Sequence, residues 1–143
     1  MKRKLSPVQI GNIGEKRITW YLRLHGYRIL ERNMRNSYSE IDIIALNKEY
    51  IVFVEVKTRT VGQLYPPCAA VNYEKRKKII SASRAYMKYK NITKKPRYDV
   101  AEVYLKKDKY RVESINYIKD AFTRWGTNAT FRPARRHSLQ DKN

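Results

Sequence analysis

Two carboxylates and a lysine stand in this chain where a pair of otherwise apolar segments has no structural need for charge. In residues 50–58, strand alternation places Ile51, Phe53, Glu55 and Lys57 on one face and Val52, Val54 and Val56 on the other. Glu55 and Lys57 are then about 7 Å apart and point the same way. Residues 40–46 carry Asp42 among Ile41, Ile43 and Ile44, and only Asn47, Lys48 and Glu49 separate the two segments. An antiparallel hairpin is expected. With Lys48-Glu49 as a two-residue loop, Asp42 falls opposite Glu55, their Cβ atoms about 4.5–5.5 Å apart. With the turn at Asn47-Lys48, Asp42 faces Phe53 and Glu55 becomes its diagonal neighbour. Only a shift of odd parity sends the carboxylates to opposite faces.

Like charges directly opposite each other destabilise a sheet, so something must compensate. A hard divalent cation held by carboxylate oxygens is the natural answer: Mg²⁺ (or Mn²⁺), keeping several waters and taking a substrate phosphate. Lys57 beside it could position a water or neutralise charge building on that phosphate. The same spacing also suits an ordinary Glu55–Lys57 or Asp42–Lys57 ion pair on an exposed sheet face, and spacing alone does not separate the two.

The composition says what the site would act on. Lys and Arg number 32 against 13 Asp and Glu, a formal charge of +19 that exceeds the needs of solubility and attracts polyanions. Nucleic acid is the expected partner. With 143 residues, the chain has the length of one ordinary domain. Cys68 is the single cysteine, which excludes an intramolecular disulfide and a Cys-based zinc site. The opening Met1-Lys2-Arg3-Lys4 is followed by Ser6-Pro7-Val8-Gln9 rather than an apolar signal segment. No apolar run approaches the roughly 20 residues of a membrane span. The expected compartment is the cytoplasm, with no membrane partner.

The elements that would position these residues can be read in order. Ser6-Pro7 suits a helix start, and Ile10, Ile13, Arg17, Tyr21 and Leu24, broadened by Ile18 and Leu22, predict a helix over residues 7–25 with Gly26 as its stop. Gly11 and Gly14 within it suggest close approach of another backbone beside Glu15. Residues 27–32 read as a strand, 33–39 as a polar loop, then the hairpin, and 61–70 as a Gly- and Pro-containing loop. Asn72 can cap a second helix over 73–90 that buries Ile79, Ala82, Tyr86 and Met87. Residues 98–105 and 110–118 predict a second hairpin around Lys107-Asp108, with a helical turn over 119–122. The order α-β-β-β-α-β-β defines an α/β (α+β) domain over 1–122 with a mixed central sheet. Residues 123–143, with Arg132, Arg135 and Arg136 among Gly, Pro, Asn and Ser, read as a disordered basic tail.

At this point a resemblance becomes specific. Gly14-Glu15, Gly26-Tyr27-Arg28-Ile29-Leu30, Glu40-Ile41-Asp42-Ile43-Ile44-Ala45, Phe53-Val54-Glu55-Val56-Lys57-Thr58-Arg59 and Arg97-Tyr98-Asp99-Val100 occur in matching order. Over roughly residues 11–122 the chain resembles the YraN-type family of small bacterial putative endonucleases. That family is similar to the PD-(D/E)xK nucleases of restriction-endonuclease-like fold, with archaeal Holliday junction resolvases as relatives. The resemblance implies a metal-dependent phosphodiesterase with Asp42 and Glu55 as metal ligands and Lys57 as catalytic lysine. It adds Glu15, on the first helix, as an accessory carboxylate; on its own, a helix-flank carboxylate is usually just solvated. Ser39 stands where the pattern has glycine, and Ile41 where it has the name-giving proline. The resolvases act as dimers on branched DNA, so a homodimer and structured DNA follow by analogy.

The remaining candidates concern nucleic-acid contact. Lys75, Arg76, Lys77 and Lys78 open the second helix, where cations oppose the helix dipole, so their purpose is not helix stability. Lys75, Lys77 and Lys78 are expected to contact backbone phosphates, and Arg59 to reach one near the metal. Tyr38 and Tyr65 could stack on an exposed base, although half-buried packing is the commoner use of such tyrosines. His25 and His137 are too few for a histidine-metal nuclease, and His25 suits the C-terminus of the first helix. Two further readings stay open: a non-catalytic nucleic-acid-binding module with a vestigial site, and an RNA-bound ribosome-assembly protein, which explains the charge but not the acidic cluster.

Overall fold

The computed structural model describes residues 3–62 and 71–123, and the backbone of Gly126–Thr127. Tyr65, Cys68, Trp125, His137 and the arginines of the expected tail lie outside the described residues.

Helix α1 (Pro7–Leu24) begins on a capping box: Ser6 Oγ accepts from Gln9 N–H at 3.2 Å, and Gln9 Oε1 accepts from Ser6 N–H at 2.9 Å. It ends with His25 as cap and Gly26 at φ 83°, a left-handed turn that glycine takes without strain. Its buried line is Gly14, Ile18 and Leu22. The expected stripe was rotated slightly outward, and Leu24, 75% exposed, does not belong to it.

Five strands follow in one sheet: β1 (Arg28–Arg35), β2 (Glu40–Leu46), β3 (Tyr50–Thr60), β4 (Lys95–Leu105) and β5 (Val112–Ile118), adjacent in that order. All neighbours are antiparallel except β3 and β4, which run parallel from Tyr50↔Lys95 to Thr60↔Leu105. A parallel pair needs a crossover, and helix α2 (Tyr73–Tyr89) lies on it, its Asn72 cap accepting from Lys75 N–H at 2.9 Å. The mixed α/β architecture expected from the sequence is the observed one. The helices cover opposite faces. Ile18 and Leu22 of α1 pack with Ile43, Val52, Val54, Ala101 and Val103, whereas Ile79, Ala82 and Tyr86 of α2 pack with Ile44, Ile51, Phe53, Tyr98 and Val100. Burial on both faces is why the central strands are so rich in Ile and Val. Neither helix is long and apolar enough to cross a membrane.

Three boundaries differ from expectation. β1 continues to Arg35 through Asn33, which at φ 51° takes a conformation Asn tolerates and so keeps Met34 paired with Ile41. Residues 119–122 are not helical: a turn through Asp120 (φ 51°) leads into β6 (Phe122–Thr123), which pairs with β7 (Gly126–Thr127). Phe122 is held there by stacking on Tyr98, ring centres 5.4 Å apart, in the α2-side core. β4 begins at Lys95, three residues before the expected start, and Lys94 Nζ just ahead of it donates to Asn47 C=O at the hairpin turn.

Gly14 shows why α1 stands where it does. A Cβ there would lie 1.8 Å from Thr58 Oγ1 and 3.0 Å from Thr58 Cβ, so the helix approaches β3 as closely as it does only because residue 14 has no side chain. The neighbour is a side chain rather than the expected backbone, and a Cβ on Gly11 would meet nothing. Gly14→Ala is expected to cost about 1–3 kcal/mol of stability, the usual range for overpacking, read from the urea midpoint. Adding Thr58→Ala should recover part of that loss. An unchanged midpoint in Gly14→Ala would show that the helix is not held this close.

Candidate active site

The hairpin turn decides the register that the sequence left open. Asn47 Oδ1 accepts from Glu49 N–H at 2.9 Å and Tyr50 N–H at 2.7 Å, and Asn47 N–H donates to Tyr50 C=O at 3.0 Å. Lys48-Glu49 is therefore the two-residue loop, and pairing runs from Leu46↔Ile51 to Ile43↔Val54. The next rung would set Asp42 opposite Glu55. It does not form: Asp42 Oδ2 accepts from Val56 N–H at 2.8 Å, so a side chain replaces the backbone ladder. β3 runs on beside β4 alone. Where β2 and β3 part, a cleft of about 610 Å³ opens, lined by Asp42, Glu55, Val56 and Thr58 from the strands and by Ile10, Gly11 and Glu15 from α1, among others.

The charges in this cleft are poorly solvated and closely coupled. Glu55 is buried, and its Oε1 meets Lys75 Nζ at 2.5 Å and Lys57 Nζ at 3.5 Å. Burial, then the neighbouring Glu55 charge, push the Asp42 carboxyl up to about 7; the Val56 hydrogen bond offsets only part of this. Burial likewise raises Glu15, against a hydrogen bond from Asn33 and the charge of Arg32, and the Glu40 and Glu55 charges add to the rise. Glu15 Oε2 is buried with no hydrogen-bond partner. Burial lowers Lys57, more than the Glu55 charge restores. Partial burial works against the charge of Lys75, yet Glu55 outweighs this and holds the ammonium above its ordinary range.

The structure thus brings Glu15, Asp42 and Glu55 to one cleft, sets Lys57 against Glu55, and adds Lys75 on the same carboxylate. The position of Lys75 in the first turn of α2, where a cation opposes the helix dipole, implied an external anion. The anion it meets is Glu55 rather than a phosphate, and no spacing rule links residues 55 and 75. Lys77 and Lys78 are exposed, as phosphate contact requires. Arg59 is not: its side chain is 9% exposed and faces Glu102 at 3.3 Å, where Tyr104 and Asn116 also donate. Placed so, it is not available at the surface for a phosphate. Tyr38 is exposed. His25 meets the end of α1 as expected, its Nδ1 2.7 Å from Tyr21 C=O.

The carboxylates suit a hard cation. Each of Asp42 and Glu55 has its hydrogen bonds on one oxygen only among the described residues, and Glu15 adds the orphaned Oε2. Among those residues no three acidic, histidine or cysteine side chains close around a single point. A cation here would keep several waters and use one or two carboxylates, which is the habit of Mg²⁺.

Fold and cleft define an α/β protein with a carboxylate–lysine centre at the parting of two strands. Comparison with known proteins gives it a family. A family model described as "Uncharacterised protein family UPF0102" matches residues 14–103, a span that includes Glu15, Asp42, Glu55, Lys57 and Lys75. A UPF0102 protein of Caldanaerobacter subterraneus subsp. tengcongensis is 42% identical over 84% of this chain and 99% of its own length. UPF0102 proteins of Alkaliphilus oremlandii and Clostridium kluyveri are 44% and 47% identical, over 80% and 79% of this chain and 97% and 93% of theirs. The chain belongs to the UPF0102 family, which is the YraN-type family that its motifs resemble.

Proposed function

We propose that this protein is a Mg²⁺-dependent (or Mn²⁺-dependent) DNA endonuclease of the PD-(D/E)xK type, with branched or structured DNA as the first substrate to test. The observation that carries this reading is the parting of β2 and β3 at Asp42 and Glu55, which opens a buried carboxylate pair to a cleft also lined by Glu15, with Lys57 against Glu55. Asp42 and Glu55 would hold the cation, which supplies Lewis acidity and activates water. Lys57, beside Glu55, neutralises charge developing on the scissile phosphate or orients the attacking water. Glu15 orients that water from α1. Lys77 and Lys78 on the exposed side of α2 take backbone phosphates, without regard to sequence.

A second reading has its own observation. Lys75 and Lys57 already give Glu55 charged partners, which favours a non-catalytic nucleic-acid-binding module. Cleavage assays on duplex, single-stranded and four-way DNA with Mg²⁺ or Mn²⁺ separate the two. Cutting that disappears in Asp42→Asn and Glu55→Gln supports the nuclease. Cutting retained in both would identify a contaminant, and metal-independent binding without cleavage on every substrate would favour the module. DNA affinity is expected to fall steeply from about 50 to 200 mM salt, with Lys77→Met and Lys78→Met each reducing the logarithmic slope by about 1. A salt-insensitive affinity would contradict phosphate contact by α2.

A further inference from the structure

Glu55 carries an unusual load for a buried carboxylate. Both ammoniums lie on its Oε1, and they come from different elements: Lys57 from the same strand, Lys75 from the first turn of α2. Lys57, two residues along β3 on the same face, stays beside Glu55 even where its stem shifts, and it is the more enclosed and more distant of the two. Lys75 can leave: its side chain is 39% exposed against 24% for Lys57, and its own backbone N–H is fixed to Asn72, so only the flexible stem needs to move. Its position also favours release, since the dipole of α2 repels a cation at that end.

Resting on the reading of Asp42 and Glu55 as the cation's ligands, we infer that Lys75 is a resident counter-ion that occupies Glu55 until a divalent cation displaces it, and that the displaced ammonium then takes a phosphate of the nucleic acid. Burial and the Glu55 charge disfavour a second uncompensated charge at Asp42, and a divalent cation on Glu55, even at its other oxygen, would bring positive charge against the ammonium held on Oε1 of the same carboxylate. The lysine and the cation therefore compete. A backbone phosphate in the cleft offers the ammonium a new partner, so nucleic acid and cation assist each other's binding. Without nucleic acid, the lysine keeps the centre only weakly receptive to metal.

Mn²⁺ alone is the probe, titrated into the full chain without nucleic acid and followed by its electron paramagnetic resonance signal and by calorimetry. Lys75→Met is expected to bind Mn²⁺ roughly ten-fold more tightly than wild type, the worth of about one charge-assisted hydrogen bond given up. Lys88→Met, which removes an equal charge from the exposed far end of α2, should change affinity by less than about two-fold. Melting supplies a second readout: Mn²⁺ should raise the Tm of Lys75→Met more than that of wild type, whereas a purely structural lysine would lower the Tm with and without metal alike. Lys75→Gln replaces the Met variant if the latter fails to fold. Equal Mn²⁺ affinities of wild type and Lys75→Met, with binding lost in Glu55→Gln, would overturn the counter-ion role and leave the metal reading standing. No Mn²⁺ binding by any variant would overturn both.

Discussion

Asp42→Asn is expected to cleave at least 100-fold more slowly than wild type and yet to melt at a higher temperature at pH 8. The loss follows if Asp42 is a ligand, since even outer partners of metal ligands cost about 10–100-fold. The gain follows from burial. The Asp42 carboxyl sits at about 7, above its ordinary value of 3.8, because burial and the Glu55 charge disfavour its ionised form. Below the ordinary value it is protonated whether folded or not and costs nothing. As pH rises towards 7, the unfolded chain releases the proton while the folded one retains it, so stability falls. Above 7 the penalty is complete. Asparagine never ionises, and its amide oxygen can still accept from Val56 N–H. The advantage of Asp42→Asn should therefore be absent near pH 4, grow through pH 5 and 6, and level off above 7, in metal-free melts. A variant that is inactive and less stable at pH 8 would mean that Asp42 is an ordinary structural carboxylate.

Asp99→Ala should be the most damaging change away from the cleft, about 3–5 kcal/mol by urea unfolding, because it strands a buried cation. Asp99 is fully buried and accepts from Arg97 Nε at 3.0 Å and a terminal guanidinium nitrogen at 2.8 Å, from Tyr117 OH at 2.6 Å and from Asp120 N–H at 2.9 Å. Arg97 is itself buried between the rings of Tyr27 and Tyr50 and donates to Tyr27 OH. Truncating Asp99 leaves this guanidinium with a phenol oxygen and two ring faces, and no anion. Asp99→Ala with Arg97→Met should cost less than the sum of the single changes, since the double variant strands no charge. Additive losses, or a single loss under about 1 kcal/mol, would show that the pair is not coupled. The site would feel the change: Asp99 pairs with Val54, the residue before Glu55.

The most legible parts of this chain were those specified by local rules. Ser6-Pro7 and Gly26 delimited α1 because capping and left-handed turns depend on neighbouring residues alone. Glu55 and Lys57 shared a face because strand parity is local. Asp42 was legible only in part, since parity left several registers and the side chain of Asn47, bonding two backbone N–H groups, selected one. The end of β1 is not legible in the sequence, because a positive φ at Asn33 carries no pattern. The exposure of Leu24 is not legible either, because apolar spacing shows where a helix could bury, not which line meets a sheet.

By itself, the sequence determined the basic charge, the mixed α/β order and the pairing of Glu55 with Lys57, all consequences of composition and short-range geometry. Tertiary structure alone decided what surrounds them. It brought Glu15 across from α1 through the missing Cβ of Gly14, turned Arg59 towards Glu102, and laid Lys75 on Glu55 across twenty positions of chain. These contacts depend on how two helices settle on opposite faces of one sheet, and no spacing within a single element encodes that.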